Sequence, residues 1–268
     1  MEISRLQELL DIAISAAQGA GDLICSHFRL GYERWDKSPD NPVTTADLEA
    51  DTFLRTQLTA ATPGYGWLSE ETADSPQRLE KCCAWVVDPL DGTEEFIAGL
   101  DHFAVSVGFV ENGLPLLGVI HNPATGETIT GSAGAGVAYR GEPARPLSTA
   151  GELNGARVLV SDTEVRQGLW AGYEPVLALE QIGSAAYKLG RVAAGFGDAY
   201  ISLKPKHEWD ICAGAALILA AGGQVSDLAG KPLRFNQADV LVDGIVAANP
   251  TLHAKLMRLL RPASGDKS

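Results

Sequence analysis

Trp85-Val86-Val87-Asp88-Pro89-Leu90-Asp91-Gly92-Thr93 is the stretch around which the rest of the chain is organised. The run from Ala84 to Val87 is of strand type, and it ends in two carboxylates separated by a Pro-Leu turn. Gly92-Thr93 follows, then Glu94-Glu95-Phe96-Ile97, which reads as a helix start. Two acids three residues apart on a tight turn can point into one small volume, where like charges repel unless a cation lies between them. An oxygen-only donor set suits a hard ion such as Mg²⁺, which keeps several waters and also takes phosphate oxygens. The amides of Gly92 and Thr93 at a helix N-terminus suit an anion. The segment therefore reads as metal-assisted phosphate chemistry. On spacing alone it reads equally well as an Asp-rich turn that caps a helix.

Upstream, apolar residues from Leu6 to Ile24 recur at helical spacing and predict a first helix to about residue 30. Residues 30–42 are polar and hold Gly31, Pro39 and Pro42, so a mobile loop is expected. Thr44 or Thr45 can cap a second helix to about Thr59. A short strand at Gly66-Trp67-Leu68 leads to Glu70-Glu71, and residues 72–82 read as loop. Downstream, 103–110, 116–122, 128–133 and 137–139 predict an antiparallel run. Residues 140–155, rich in Gly and Pro, read as a linker between an N-terminal half, 1–145, and a C-terminal half, 146–268. The second half alternates: strand 157–161, helix 165–173, strand 178–182, helix 185–194, strand 199–202, helix 209–221, strand 223–226. A buried strand at 245–248 and a helix at 250–261 close the chain. The pattern is α+β in the first half and α/β in the second.

The chain has 268 residues, enough for one large domain or two tightly joined halves. No apolar run approaches ~18 residues, so no membrane span is predicted, and residues 1–5 lack the features of a secretory signal. A net charge of −13 argues against a nucleic-acid polymer as partner. It leaves an anionic substrate to be explained by local cations or bound metal. Cys25, Cys82, Cys83 and Cys212 contain no C-x-x-C pair and read as reduced thiols of a cytoplasmic protein.

From Trp85 to Phe96 the chain matches almost completely the W-x-x-D-P-L/I-D-G-T-x-x-F signature of the inositol monophosphatase superfamily. Residues 37–47, ending Val43-Thr44-Thr45-Ala46-Asp47, are similar to the family's early V-T-x-x-D element, and Ser69-Glu70-Glu71 to its G/S-E-E. Gly183-Ser184 with Lys188 resembles G-S-x-x-x-K, and Trp209-Asp210 with Ala213-Gly214 resembles W-D-x-A-A/G. Gly222-Gly223, Asp227 and Gly230-Lys231-Pro232-Leu233 resemble the closing element. The resemblance covers about residues 5–250 and implies the layered α-β-α-β-α sugar-phosphatase fold.

By that resemblance, Glu70, Asp88 and the Leu90 carbonyl would bind one Mg²⁺, and Asp88, Asp91 and Asp210 a second. A third, weaker ion would touch Glu70 through waters. Asp47, Glu70 and Thr93 would position and deprotonate the attacking water, and Asp91, Gly92, Thr93, Ser184, Lys188 and Asp210 would meet the substrate. Thr93 could instead be a helix cap, Asp47 an exposed first-turn acid, and Glu71 a solvated neighbour of Glu70. His207 reads as a surface or substrate-edge residue, since Mg²⁺ prefers oxygen.

Within the family, Glu95 in Asp91-Gly92-Thr93-Glu94-Glu95-Phe96, the run His207-Glu208-Trp209-Asp210-Ile211-Cys212-Ala213, and Leu233-Arg234-Phe235-Asn236 are similar to CysQ-type 3′(2′),5′-bisphosphate nucleotidases. Glu94 departs from that pattern, which has Lys or Arg there. The expected activity is Mg²⁺-dependent removal of the 3′-phosphate of adenosine 3′,5′-bisphosphate, a by-product of sulfate assimilation, with Lys188, Lys204, Lys206 and Arg234 as cations for a second phosphate. Inositol 1-phosphate or a related sugar phosphate is the alternative substrate, and a non-catalytic phosphate- or metal-binding protein is the alternative outside the enzyme class. The resemblance also implies lithium sensitivity and a possible homodimer.

Overall fold

The computed structural model describes residues 2–38 and 41–260; Pro39, Asp40 and Arg261, which belong to expected elements, lie outside them. Five layers stack in order. Helices α1 (Ile3–Leu30) and α2 (Thr45–Ala61) form the first. The second is a seven-stranded sheet in the order β3-β4-β5-β6-β7-β8-β9. Its strands are β3 (Gly66–Ser69), β4 (Cys83–Asp91), β5 (Ala104–Glu111), β6 (Leu114–Asn122), β7 (Glu127–Ser132), β8 (Gly136–Tyr139) and β9 (Glu142–Pro143). Helices α5 (Ala185–Ala193) and α6 (Glu208–Ala220) form the middle layer. A second sheet follows, β11-β10-β12-β16-β14, from β10 (Arg157–Val160), β11 (Ala178–Gln181), β12 (Ala199–Ser202), β14 (Gln224–Ser226) and β16 (Ile245–Ala248). Helix α7 (Pro250–Leu260) covers its far face.

Three apolar cores lie between these layers, and strand alternation distributes residues among them. Trp85 and Val87 of β4 face α1 and α2, whereas Val86 faces the middle helices. Glycine sets the approach of α6 to the first sheet. A Cβ on Gly118 would lie 2.1 Å from the Ala213 carbonyl oxygen. Gly118→Ala is expected to cost about 3 kcal/mol through overpacking against backbone, measured by urea unfolding.

Helix α1, where the sequence predicts a helix but no membrane span, is the one described helix long and apolar enough to cross a membrane. Its apolar side chains, among them Leu9, Ala13, Ala17 and Ile24, are packed in the first core.

Several local expectations are corrected. Residues 30–42 are not simply loop: β1 (Arg34–Ser38) pairs antiparallel with β2 (Asn41–Thr44). All of β1 is exposed, so no hydrophobic alternation announced it. The expected helix at 165–173 is the short α4 (Asp162–Arg166), followed by turns with Gly168 at φ 75° and Trp170 fully buried. The polar stretch 72–82 contains a 3₁₀ turn, Pro76–Glu80, whose Arg78 is buried and donates to Asp74, Asn236 and the Gln237 carbonyl. A further two-stranded piece pairs β13 (Lys206–His207), just before α6, with β15 (Leu241–Val242), after it, and was not expected.

Candidate active site

Strand β4 carries the first acids, and it does not stop at a turn. It continues to Asp91 through a bulge: Asp88 pairs with Ser106 and Asp91 with Ala104, so one extra residue is accommodated. The bulge puts Asp88, 2% exposed, where its Oδ1 accepts the Leu90 N–H at 3.0 Å. Gly92 follows at φ 97°, and a Cβ there would come within 2.9 Å of the His102 carbonyl oxygen, so glycine is needed on both counts. The helix it opens, α3 (Thr93–Ile97), is only about a turn long.

Three segments deliver the carboxylates. Glu70 follows β3, which runs parallel to β4; Asp88 lies on β4; Asp210 sits in the first turn of α6, where it accepts the His207 N–H at 3.1 Å. An oxygen from each of Glu70, Asp88 and Asp210 lies within 4.8 Å of the others. Burial and then the charges of Glu70, Asp91 and Asp210 push Asp88 well above the ordinary carboxylate range. Burial and then Asp91 raise Asp210 to about 8, against the opposing pull of Lys206. Such a cluster, all oxygen and mutually repelling, fits a hard divalent cation whose charge would relieve both strains.

Asp91 has a different set of partners. Its Oδ2 accepts from Ser184 Oγ at 2.5 Å and from the Ala186 N–H at 2.6 Å, tying β4 to the start of α5. Ser184, held at φ 55°, also accepts the Tyr187 N–H and so caps α5. Asp47 is not an exposed acid: its Oδ2 accepts both the Thr44 N–H and hydroxyl, and its Oδ1 accepts the Thr93 hydroxyl at 2.9 Å. Thr93 thus makes no side-chain cap; the Leu90 carbonyl lies 3.1 Å from its hydroxyl as an alternative acceptor.

Glu70, Asp88, Leu90, Asp91, Thr93, Ser184 and Asp210 open onto a cleft of about 430 Å³ lined also by Pro42, Gly183, Lys188, Lys204, Lys206 and Arg166, while Asp47 reaches it only through the Thr93 hydroxyl. The profile of the Inositol monophosphatase family matches residues 5–264. The chain belongs to the inositol monophosphatase family. It is 36% identical over 247 residues to the 3′(2′),5′-bisphosphate nucleotidase CysQ of Aggregatibacter actinomycetemcomitans, covering 88% of this chain and 90% of the relative. It is 34% identical to an inositol-1-monophosphatase of Mesorhizobium japonicum, covering 94% and 96%. The crystal structure of the extragenic suppressor protein SuhB from Bartonella henselae superposes with a TM-score of 0.82 at 27% identity, over 96% of this chain and 99% of that one. The protein is therefore an enzyme of this phosphatase family.

The motif positions Glu70, Asp88, Leu90, Asp91, Gly92, Thr93, Gly183, Ser184, Lys188 and Asp210 line the cleft, and those of the closing element, from Gly222 to Leu233, do not. Lys188 is buried, donates to the Ile182 carbonyl at 2.7 Å and lies 5.7 Å from the Tyr200 ring centroid. Burial lowers its amine to about 8 against the pull of Asp91. Lys204 and Lys206 line the cleft, but Arg234 does not; it borders a separate depression with Asn112, Gly113 and Gln237. Glu71 is not solvated. Its side chain is 4% exposed, burial raises it to about 7, and Lys37 Nζ lies 2.8 Å from both Glu70 Oε1 and Glu71 Oε1. His207 lines the cleft and stacks on Trp209, with ring centroids 4.5 Å apart. The sequence reading missed Arg166, because it follows no family motif, and the Lys37 clasp, because its strand has no apolar face. The four cysteines are free, with Cys82 and Cys83 Sγ atoms 3.7 Å apart.

Proposed function

We propose that this phosphatase removes the 3′-phosphate of adenosine 3′,5′-bisphosphate with Mg²⁺, yielding AMP, in the reducing cytoplasm where its four thiols stay free. The observation that carries the reading is the second set of charges in the cleft: beside the acids stand Lys204, Lys206 and Arg166, cations for a phosphate other than the reacting one. The 36% identity to a bisphosphate nucleotidase supports it.

Glu70, Asp88 and the Leu90 carbonyl would hold one metal and Asp88, Asp91 and Asp210 a second, for which Asp91 offers the carboxylate oxygen that does not accept from Ser184 and Ala186. When bound, such ions withdraw charge from the phosphoryl oxygens and acidify a nearby water. The chain's own part is proton handling. With its O–H donated to Asp47 Oδ1, the Thr93 oxygen has lone pairs to accept a hydrogen bond from the attacking water. As that water attacks, its proton passes to Thr93 Oγ1 and the Thr93 proton to Asp47 Oδ1. Burial raises Asp47, against the hydrogen bonds of Thr44 and Thr93, which makes it the stronger base.

Inositol-1-phosphatase activity is the second reading. It is favoured by Glu94, which brings a carboxylate to the cleft wall where the nucleotidase pattern is cationic, and by the Mesorhizobium japonicum relative. The deciding measurement is kcat/KM for adenosine 3′,5′-bisphosphate, its sulfated analogue, adenosine 3′-monophosphate, inositol 1-phosphate and fructose 1,6-bisphosphate. The bisphosphate is expected to exceed the 3′-monophosphate about 10- to 150-fold, the worth of one charge-assisted contact. Equal turnover of inositol 1-phosphate would replace the nucleotidase reading with the alternative.

A further inference from the structure

Glu164 is a nearly fully buried carboxylate in the wall of the same cleft, outside the acid cluster. It is 1% exposed, and each oxygen is used twice. Oε1 accepts from Ser202 Oγ at 2.5 Å and from the Lys204 N–H at 3.3 Å. Oε2 accepts from Trp170 Nε1 at 3.1 Å and from the Leu203 N–H at 3.2 Å. A buried carboxylate with four donors is held firmly, and so are the segments that supply them.

Those segments carry the cleft's cations. Lys204 takes its place through its own backbone N–H on Glu164, and Ser202 Oγ also lies 3.1 Å from the Lys204 carbonyl oxygen. Lys206 follows two residues later at the start of β13 and is near enough to Asp91 and Asp210 to oppose the rise in both. Arg166 shares α4 with Glu164 and reaches back to Asp162 and to the Thr163 hydroxyl. One buried group therefore fastens together α4, the end of β12 and the approach to β13. A flexible lysine loses rotamer freedom on gripping an anion, and a fixed backbone beneath it reduces that cost.

We infer that Glu164 is a positioning residue that sets Lys204, Lys206 and Arg166 as one subsite for the remote phosphate of a bisphosphorylated substrate. This rests on the nucleotidase reading and adds what sets its preference. Although it lies in the cleft wall, both carboxylate oxygens of Glu164 are taken up by protein donors. It acts through the loop, so its removal weakens the remote contact and leaves the reacting phosphate as before.

The test uses full-length protein at saturating Mg²⁺, with kcat and KM measured separately for adenosine 3′,5′-bisphosphate and adenosine 3′-monophosphate. These substrates share nucleoside and reacting group and differ only in the remote phosphate. Glu164→Gln puts an amide N–H₂ against donors and removes the charge. It is expected to raise KM for the bisphosphate about tenfold more than for the monophosphate, with kcat changed about equally for both. Lys204→Gln should do the same. Because Glu164 acts through Lys204, the double variant should lose little more than the worse single one. Should Glu164→Gln fail to fold, Ser202→Ala, which keeps the carboxylate, should shift the same ratio by a smaller factor. Equal losses on both substrates, or losses that multiply in the double variant, would overturn the positioning role. A wild-type enzyme that prefers the bisphosphate while no variant erodes that preference overturns this inference alone. A wild-type enzyme with no such preference overturns the nucleotidase reading and this one with it.

Discussion

Asp88→Asn is expected to lower kcat/KM by at least about 10³-fold, the scale of several kcal/mol of charge stabilisation removed from a phosphoryl transfer. The same variant should fold as well as the wild type in the absence of metal. Asparagine keeps the shape, and its Oδ1 can still accept the Leu90 N–H that the bulge presents. What disappears is a buried carboxyl whose ionisation burial and the charges of Glu70, Asp91 and Asp210 oppose. Relief of that repulsion should leave the metal-free Tm equal to or above wild type, while Mg²⁺ raises it less. Phosphate release and thermal melts with and without EDTA check both halves. Near-wild-type turnover at saturating Mg²⁺ would mean that the three-acid cluster is not where the chemistry is done.

Stability without metal should fall as pH rises from about 5.5 to 8.5, by roughly 5 °C in Tm for a loss of about 2 kcal/mol. Asp210 lies at about 8 against an ordinary 3.8, and Glu71 at about 7 against 4.5. Between the ordinary and the raised values, the folded protein holds protons that the unfolded chain has released. That contribution is complete below pH about 4 and is lost as pH climbs through the raised values. Saturating Mg²⁺ should flatten or reverse the trend, because the ion binds the deprotonated acids and only the folded chain presents them together. Asp210→Asn should reduce the slope. A metal-free Tm that is flat or rises over this interval would show that the acids are already relieved by protein cations.

Lys37 is the nearest such cation, paired with Glu70 and Glu71 from a hairpin that the sequence presented as loop. Its position was not legible because the strand that carries it is exposed throughout, so neither alternation nor burial marks it. Glu164 was equally hidden. It lies in an ordinary-looking Ser161-Asp162-Thr163-Glu164 run, and its four donors come from Trp170 and residues 202–204. Arg234 shows the converse. As a cation near a family motif it read as a phosphate contact, and packing turned it to another surface.

The sequence by itself determined the order of the long helices and of the main strands of the two large sheets, the strand that carries Asp88 and Asp91, and the family to which they belong. Those properties are written in local spacing, in the Trp85–Phe96 signature and in the periodicity of α1 and α2, and local sterics and burial patterns suffice to read them. Only the tertiary structure decided which oxygens face one another. Glu70, Asp88 and Asp210 arrive from three elements, and Asp91, three residues from Asp88, is drawn to Ser184 and Ala186 instead. A carboxylate's partners depend on which segments pack within about 3 Å of it, and that distance is set by sheet register, the bulge in β4 and the glycines under α6.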